Sequence, residues 1–199
     1  DDDLAARLAD RDQSLCIVNS RKQARRLHEL LDGEDSYHLT TLMHPVHRER
    51  VLNEIRQRLR EGRTCRVVAT SLIEAGVDVD FPVVYRALAG VDSMVQAAGR
   101  CNREGRQSAE ESIVHVFEPA DDYALPSDVA QKVAIARSVI SEMEGAACES
   151  CDIGALEAID AYFARLYAVR EGALDASGVL RDLEGFSLKS LNIPFKRAA

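Results

Sequence analysis

The chain has 199 residues, 46% hydrophobic and 29% charged, with 33 acidic against 25 basic side chains and a formal net charge of -8. That length suits one domain of generous size or one domain with an appendage, and the acidity excludes a protein that coats polyanions with its whole surface, so any nucleic-acid contact must be local. No run reaches the roughly 18 to 20 apolar residues of a membrane span, and the odd set of five cysteines in mostly apolar contexts points to reduced thiols and a cytoplasmic setting.

The opening DDDLAARLAD lacks a methionine and the closing NIPFKRAA is still amphipathic, so the chain reads as a piece of a longer polypeptide. SLCIVN (Ser14 to Asn19) predicts a strand, and SRKQARRLHELLDG predicts a helix with Ser20 as N-cap and Gly33 as its stop. SYHLTT predicts a second strand, HRERVLNEIRQRLREG a helix ending at Gly62, and TCRVVAT (Thr64 to Thr70) a third strand buried on both faces. PVVYRAL predicts a fourth strand, VDSMVQAAGR a short helix opened near Asp92, and ESIVHVFEP a fifth strand. This alternation implies a parallel sheet with helices on both faces. Beyond Pro119 the apolar spacing is helical throughout, so an α/β domain over residues 1–120 is expected to carry a helical appendage over 121–199.

In an open parallel sheet, ligands bind beyond the carboxyl ends of the strands. NSRKQ, TTLMHPVHRER, ATSLIEAGVDVDF and QAAGRCNREGR follow the first four strands and are expected at that one edge. Arg100 and Arg103, three apart, emerge on one side of the chain, with Gly99 leaving room for close backbone approach. A guanidinium offers permanent charge and a planar fork of donors, which suits a phosphate whose oxygens gain charge during transfer. The bland alternative is a surface ion-pair cluster with Glu104, Glu110 and Glu111. Arg48 to Arg66 holds seven arginines against three glutamates, a basic stripe that either meets a local polyanion or is a solvated helix face. Cys148 and Cys151 have ligand-like spacing but no second pair, and His44 and His47 have no converging carboxylates, so no metal site is expected.

VVATSLIEAGVDVDF followed by SMVQAAGRCNREGR resembles the fifth and sixth motifs of superfamily two helicases, in the form found in the CRISPR-associated helicase-nuclease of type I systems. The sixth-motif pattern Q-x-x-G-R-x-x-R is met by Gln96, Gly99, Arg100 and Arg103; Arg106 has no motif position. CIVNSRKQA is similar to the fourth motif, LTTLMHPVHRERVL to the stretch after it, and ALEAIDAYFARLY to the segment after the helicase core. The resemblance implies the second of two RecA-like domains that close on ATP and Mg2+, with the metal held by the first domain, which is absent from this chain. It implies Arg103 as arginine finger, Arg100 as a further phosphate contact, and Gln96 orienting the attacked phosphate and its water. It places Asp78 on the ribose hydroxyl, with Gly76 and Gly99 allowing the backbone near the nucleotide. Thr70, Ser71, Ser20 and Arg21 are expected on the sugar-phosphate backbone of single-stranded DNA, which hydroxyls and amides hold without reading bases.

Two positions depart from the family pattern: Ala97 stands where arginine is frequent, and Ser71 where glutamine is frequent. No G-x-x-x-x-G-K-[ST] loop with its acidic magnesium pair occurs, nor the histidine-aspartate cluster of the family's nuclease domain. The implied partners are therefore the first RecA-like and nuclease domains of a parent chain, single-stranded DNA, and the CRISPR RNA-guided surveillance complex, with no membrane. Another superfamily two DNA or RNA helicase, or a non-catalytic RecA-like scaffold, remains open at this point; the retained glutamine and arginine pair speaks against the scaffold.

Overall fold

The computed structural model describes residues 1–74, 76–105, 108, 112–119, 123–145, 152–171 and 175. Arg106, Glu110, Glu111, Cys148 and Cys151 lie outside the described residues. Five strands form one sheet: β1 (Gln13–Ile17), β2 (Ser36–Leu39), β3 (Cys65–Ala69), β4 (Val84–Ala87) and β5 (Val114–Phe117). Their order is β2-β3-β1-β4-β5, with every pairing parallel. The alternation read from the sequence is thus realised as a doubly covered parallel sheet.

Side-chain alternation along β1 shows how the layers are filled. Leu15 and Ile17 face a cluster with Leu52 and Ile55 of α3 (Pro45–Arg60), while Cys16 and Val18 face Leu8 of α1 (Asp2–Ala9) and Leu27 of α2 (Arg21–Leu31). Burial pushes the thiols of Cys16 and Cys65 up to about 12, so neither is a ready nucleophile in the fold. The sequence reading assigned no helix to the first ten residues, yet Ala5 and Leu8 of α1, three apart, are buried against the sheet. The helix predicted from His47 starts earlier, with Pro45 in its first turn, where the missing amide is no loss.

The third cluster lies under the C-terminal helices. Leu88, together with Val91 and Met94 of α4 (Val91–Ala98), packs with Val133, Ala136 and Val139 of α5 (Ser127–Gly145) and Tyr162 and Leu166 of α6 (Leu156–Arg170). α5 and α6 run antiparallel: Arg170 Nε donates to Gln131 Oε1 at 2.8 Å, and Arg165 Nη1 to Ser138 Oγ at 2.8 Å. Among the described residues no helix is long and apolar enough to cross a membrane.

Candidate functional site

The expected functional loops do not share one edge. Ser20 follows β1, and Thr70 and Ser71 follow β3 at the carboxyl ends of two adjacent strands, tied by the Val18 amide donating to the Ala69 carbonyl at 2.9 Å. The arginine segment lies at the opposite edge. α4 spans about 12 Å and returns the chain across the sheet, so that Cys101 bridges Phe81, ahead of β4, in parallel register. The Phe81 amide donates to the Arg100 carbonyl at 2.9 Å, and the Asn102 amide to the Phe81 carbonyl at 3.0 Å.

At the carboxyl edge, Ser20 occupies the N-cap position of α2, but its side chain makes no capping hydrogen bond. Arg21 and Ser71 are exposed. Thr70 is only 6% exposed, and its buried hydroxyl has no hydrogen-bond partner among the described residues. The first turn of α2 therefore presents unpaired amides and a free hydroxyl beside Ser71, chemistry suited to a phosphate.

At the amino edge, Arg103 Nη1 lies 2.6 Å from Asp78 Oδ1, with the two side chains 46% and 79% exposed. The Arg103 amide donates to Asp80 Oδ1 at 2.7 Å, and Arg56 Nε donates to the Asp78 carbonyl at 2.9 Å. The guanidinium is therefore half exposed while the backbone beneath it is pinned. Gln96 is exposed in the last turn of α4, seven residues before Arg103. Gly76 has φ +70°, a conformation that favours glycine, whereas Gly99 has an ordinary φ of -65° and a Cβ there would meet Gln96 O at 3.4 Å and Val95 O at 3.8 Å, ordinary contacts. Nothing within the described fold demands a glycine at 99. Ala97 is fully buried in the main core, which is why this position has no room for a long charged chain.

Arg100 faces the protein. Its Nε donates to Ile73 O at 3.1 Å, Nη2 to Glu74 O at 2.7 Å and Nη1 to Gly99 O at 3.3 Å, which fixes the guanidinium and leaves one N–H on each Nη for a further acceptor. Those carbonyls belong to the 3-10 turn Ser71–Ile73 and the residue after it, directly beyond Thr70. Glu74 in turn pairs with Arg86 of β4, Oε1 to Nη2 at 2.8 Å, with both side chains buried. Arg86 Nη1 donates to Asn19 Oδ1 at 2.8 Å, one residue before Ser20. A continuous chain of polar contacts thus joins the two edges. Sequence reasoning missed Glu74 and Arg86, although an arginine inside VVYRAL and an acid inside LIEAGV each signal a charge that folding must pair. Part of the basic stripe is engaged within the chain, Arg58 pairing with Asp35, Arg63 with Glu61, and Arg66 donating to the carbonyls of Ala9 and Arg11, while Arg50, Arg60 and Arg63 stay exposed.

Residues 10–106 match the family model of the C-terminal region of the CRISPR-associated nuclease/helicase Cas3. The match closes just beyond the sixth-motif arginines. Over residues 10–106 the chain is thus similar to the C-terminal region of the Cas3 nuclease/helicases. The chain is 31% identical over 111 residues to the CRISPR-associated nuclease/helicase Cas3 of Methanothermobacter thermautotrophicus, covering 54% of this chain and 13% of that protein. The crystal structure of T. fusca Cas3 with ATP superposes with a TM-score of 0.62 at 16% identity, over 98% of this chain and 24% of that one. A chain of the CRISPR RNA-guided surveillance complex in a pre-nicking state superposes with a TM-score of 0.54 at 17% identity, over 92% of this chain and 24% of that one. At such identities the structures establish the fold, and they extend it from the Cas3 motifs through α5 and α6. The chain spans about a quarter of the solved Cas3 chain and 13% of the curated relative.

Proposed function

We propose that this chain is the second motor half of an ATP-dependent single-stranded DNA translocase that unwinds invader DNA and helps degrade it in CRISPR defence. The observation that carries the reading is Arg103, a half-exposed guanidinium whose side-chain partner among the described residues is the exposed carboxylate of Asp78. An exposed ion pair contributes about 0 to 1 kcal/mol, so Arg103 can leave Asp78 for a phosphate at little cost. Asp78, once released, is free to accept from a ribose hydroxyl, and Gly99 leaves the approach to the backbone open. Gln96 is placed to orient the attacked phosphate and its water, and Arg100 braces the turn that carries Ser71.

ATP bound between this edge and a first RecA-like domain supplies the transferable phosphoryl group. Mg2+ is assigned to that first domain, together with the phosphate-cradling loop and its acidic pair. At the carboxyl edge, Ser20, Arg21, Ser71 and the backbone about Thr70 are assigned to the sugar-phosphate chain of single-stranded DNA. The surveillance complex and a nuclease domain of the parent chain are the partners this role requires. By itself the chain holds the finger without the phosphate cradle, so it does not turn over ATP alone.

Arg103→Ala in the parent protein should lower the DNA-stimulated ATPase rate by about 10³-fold or more, with nucleotide affinity falling much less. Steady-state ATPase measurements alongside binding of a fluorescent nucleotide check this. Equal losses of binding and turnover would remove the finger role.

A further inference from the structure

We infer that the α5–α6 pair positions the nucleotide edge, with Lys132 and Tyr162 holding Asp92 at the first turn of α4 and so fixing where Gln96, Arg100 and Arg103 stand at its far end. The inference rests on the reading of that far end as nucleotide-facing. Lys132 Nζ of α5 donates to Asp92 Oδ2 at 2.9 Å, and Tyr162 Oη of α6 donates to Asp92 Oδ1 at 3.0 Å. Both carboxylate oxygens are thus taken, one by each C-terminal helix. Burial pushes Asp92 toward a higher pKa, but the Lys132 and Tyr162 donors outweigh it and hold the carboxyl below its ordinary value.

Two further observations show a close fit rather than a chance contact. Tyr162 is fully buried, and a Cβ on Gly90, the N-cap of α4, would overlap both its hydroxyl oxygen and Asp92 Oδ1. Glycine at 90 is required by the approach of α6, since its own φ of -63° is ordinary. α4 is therefore held at its first turn by the two C-terminal helices. A short helix so gripped moves as a unit, and a shift at Asp92 is carried to Gln96 on α4 and to Arg100, whose amide donates to the Ala97 carbonyl at 3.0 Å.

The test compares Tyr162→Phe, Lys132→Met and Lys132→Arg with Arg103→Ala in the parent protein. Tyr162→Phe keeps the ring and removes one donor; Lys132→Arg keeps a donor that Lys132→Met loses. Because displacing a catalytic group by about 1 Å can reduce the rate on the order of 10²-fold, Tyr162→Phe and Lys132→Met should lower kcat at least about 5-fold with KM for ATP nearly unchanged, and Lys132→Arg should restore most of the rate. Without nucleotide, alkylation of half-buried Cys101, read by peptide mapping, should quicken several-fold in Tyr162→Phe while buried Cys16 and Cys65 stay unreactive. Wild-type kcat and Cys101 reactivity in both loss variants, with Arg103→Ala inactive, overturn the positioning role. So does a fall in kcat that disappears once corrected for the folded fraction. An active Arg103→Ala instead defeats the underlying nucleotide reading.

Discussion

Glu74 and Arg86 bring a full ion pair into the interior, with side chains 6% and 2% exposed. Burial pushes the Glu74 carboxyl above its usual range, opposed by the charge of Arg86. Such a pair contributes little over an apolar one, but breaking it leaves an uncompensated charge. Glu74→Ala should therefore destabilise the chain by about 3 to 5 kcal/mol, whereas Glu74→Leu combined with Arg86→Met should be near neutral. Urea denaturation of Glu74→Ala, Glu74→Leu, Arg86→Met and the double variant checks this, and an additive double variant would remove the pairing argument. The same distinction separates Thr70 from Ser71: both were legible as hydroxyls after a strand, but only the folded chain shows the first turned inward and the second outward.

Elements were legible where the hydrophobic period was long or bounded. All five strands and the helices α2 to α6 follow from apolar runs, caps and glycine stops. α1 was not, because DDDLAARLAD carries only two inward residues and three leading acids. The separation of the two edges was hidden for a different reason: rules about strand ends place a loop after its strand, and an eight-residue helix carries the sixth motif past the sheet. Contacts such as Asp92 with Lys132 and Tyr162, 40 and 70 residues apart, leave no local pattern to read. Between α2 and β2, His28 and His38 stack with ring centroids 5.6 Å apart. Burial first, then the charges of His28 and Arg25 against that of Glu29, depress the pKa of His38. A depressed folded pKa means that its stabilising contribution is complete above the unfolded value of about 6.5 and is lost as pH falls through the folded one. His115, also lowered by burial, acts with the same sign. The urea midpoint should fall between pH 7.5 and pH 5, and His38→Phe should flatten that slope; an unchanged slope would place the pH sensitivity elsewhere.

At the scale of the whole molecule, the helical pair shares one hydrophobic cluster with α4, so the sheet domain and its C-terminal helices form a continuous interior through Leu88, Val91 and Met94. The sheet order adds a consequence in time. Of the five strands β1 is made first and is the central one in the sheet, yet both its neighbours, β3 and β4, are made later. At about 5 to 20 residues per second, the apolar run at Leu15 to Val18 waits roughly 3 to 10 s before Ala69 emerges to receive the Val18 amide. Nothing near in sequence can satisfy it, since every partner is parallel and reached only through a crossover. Refolding should show the same order: the amides of Leu15 and Val18, which donate to Val83 and Ala69, should gain protection together in the slowest phase of pulsed hydrogen exchange. Early protection at these two sites would mean that the centre forms first. The strand that organises the motor is thus the one whose newborn chain most needs shielding, a burden for chaperones set by topology rather than by composition.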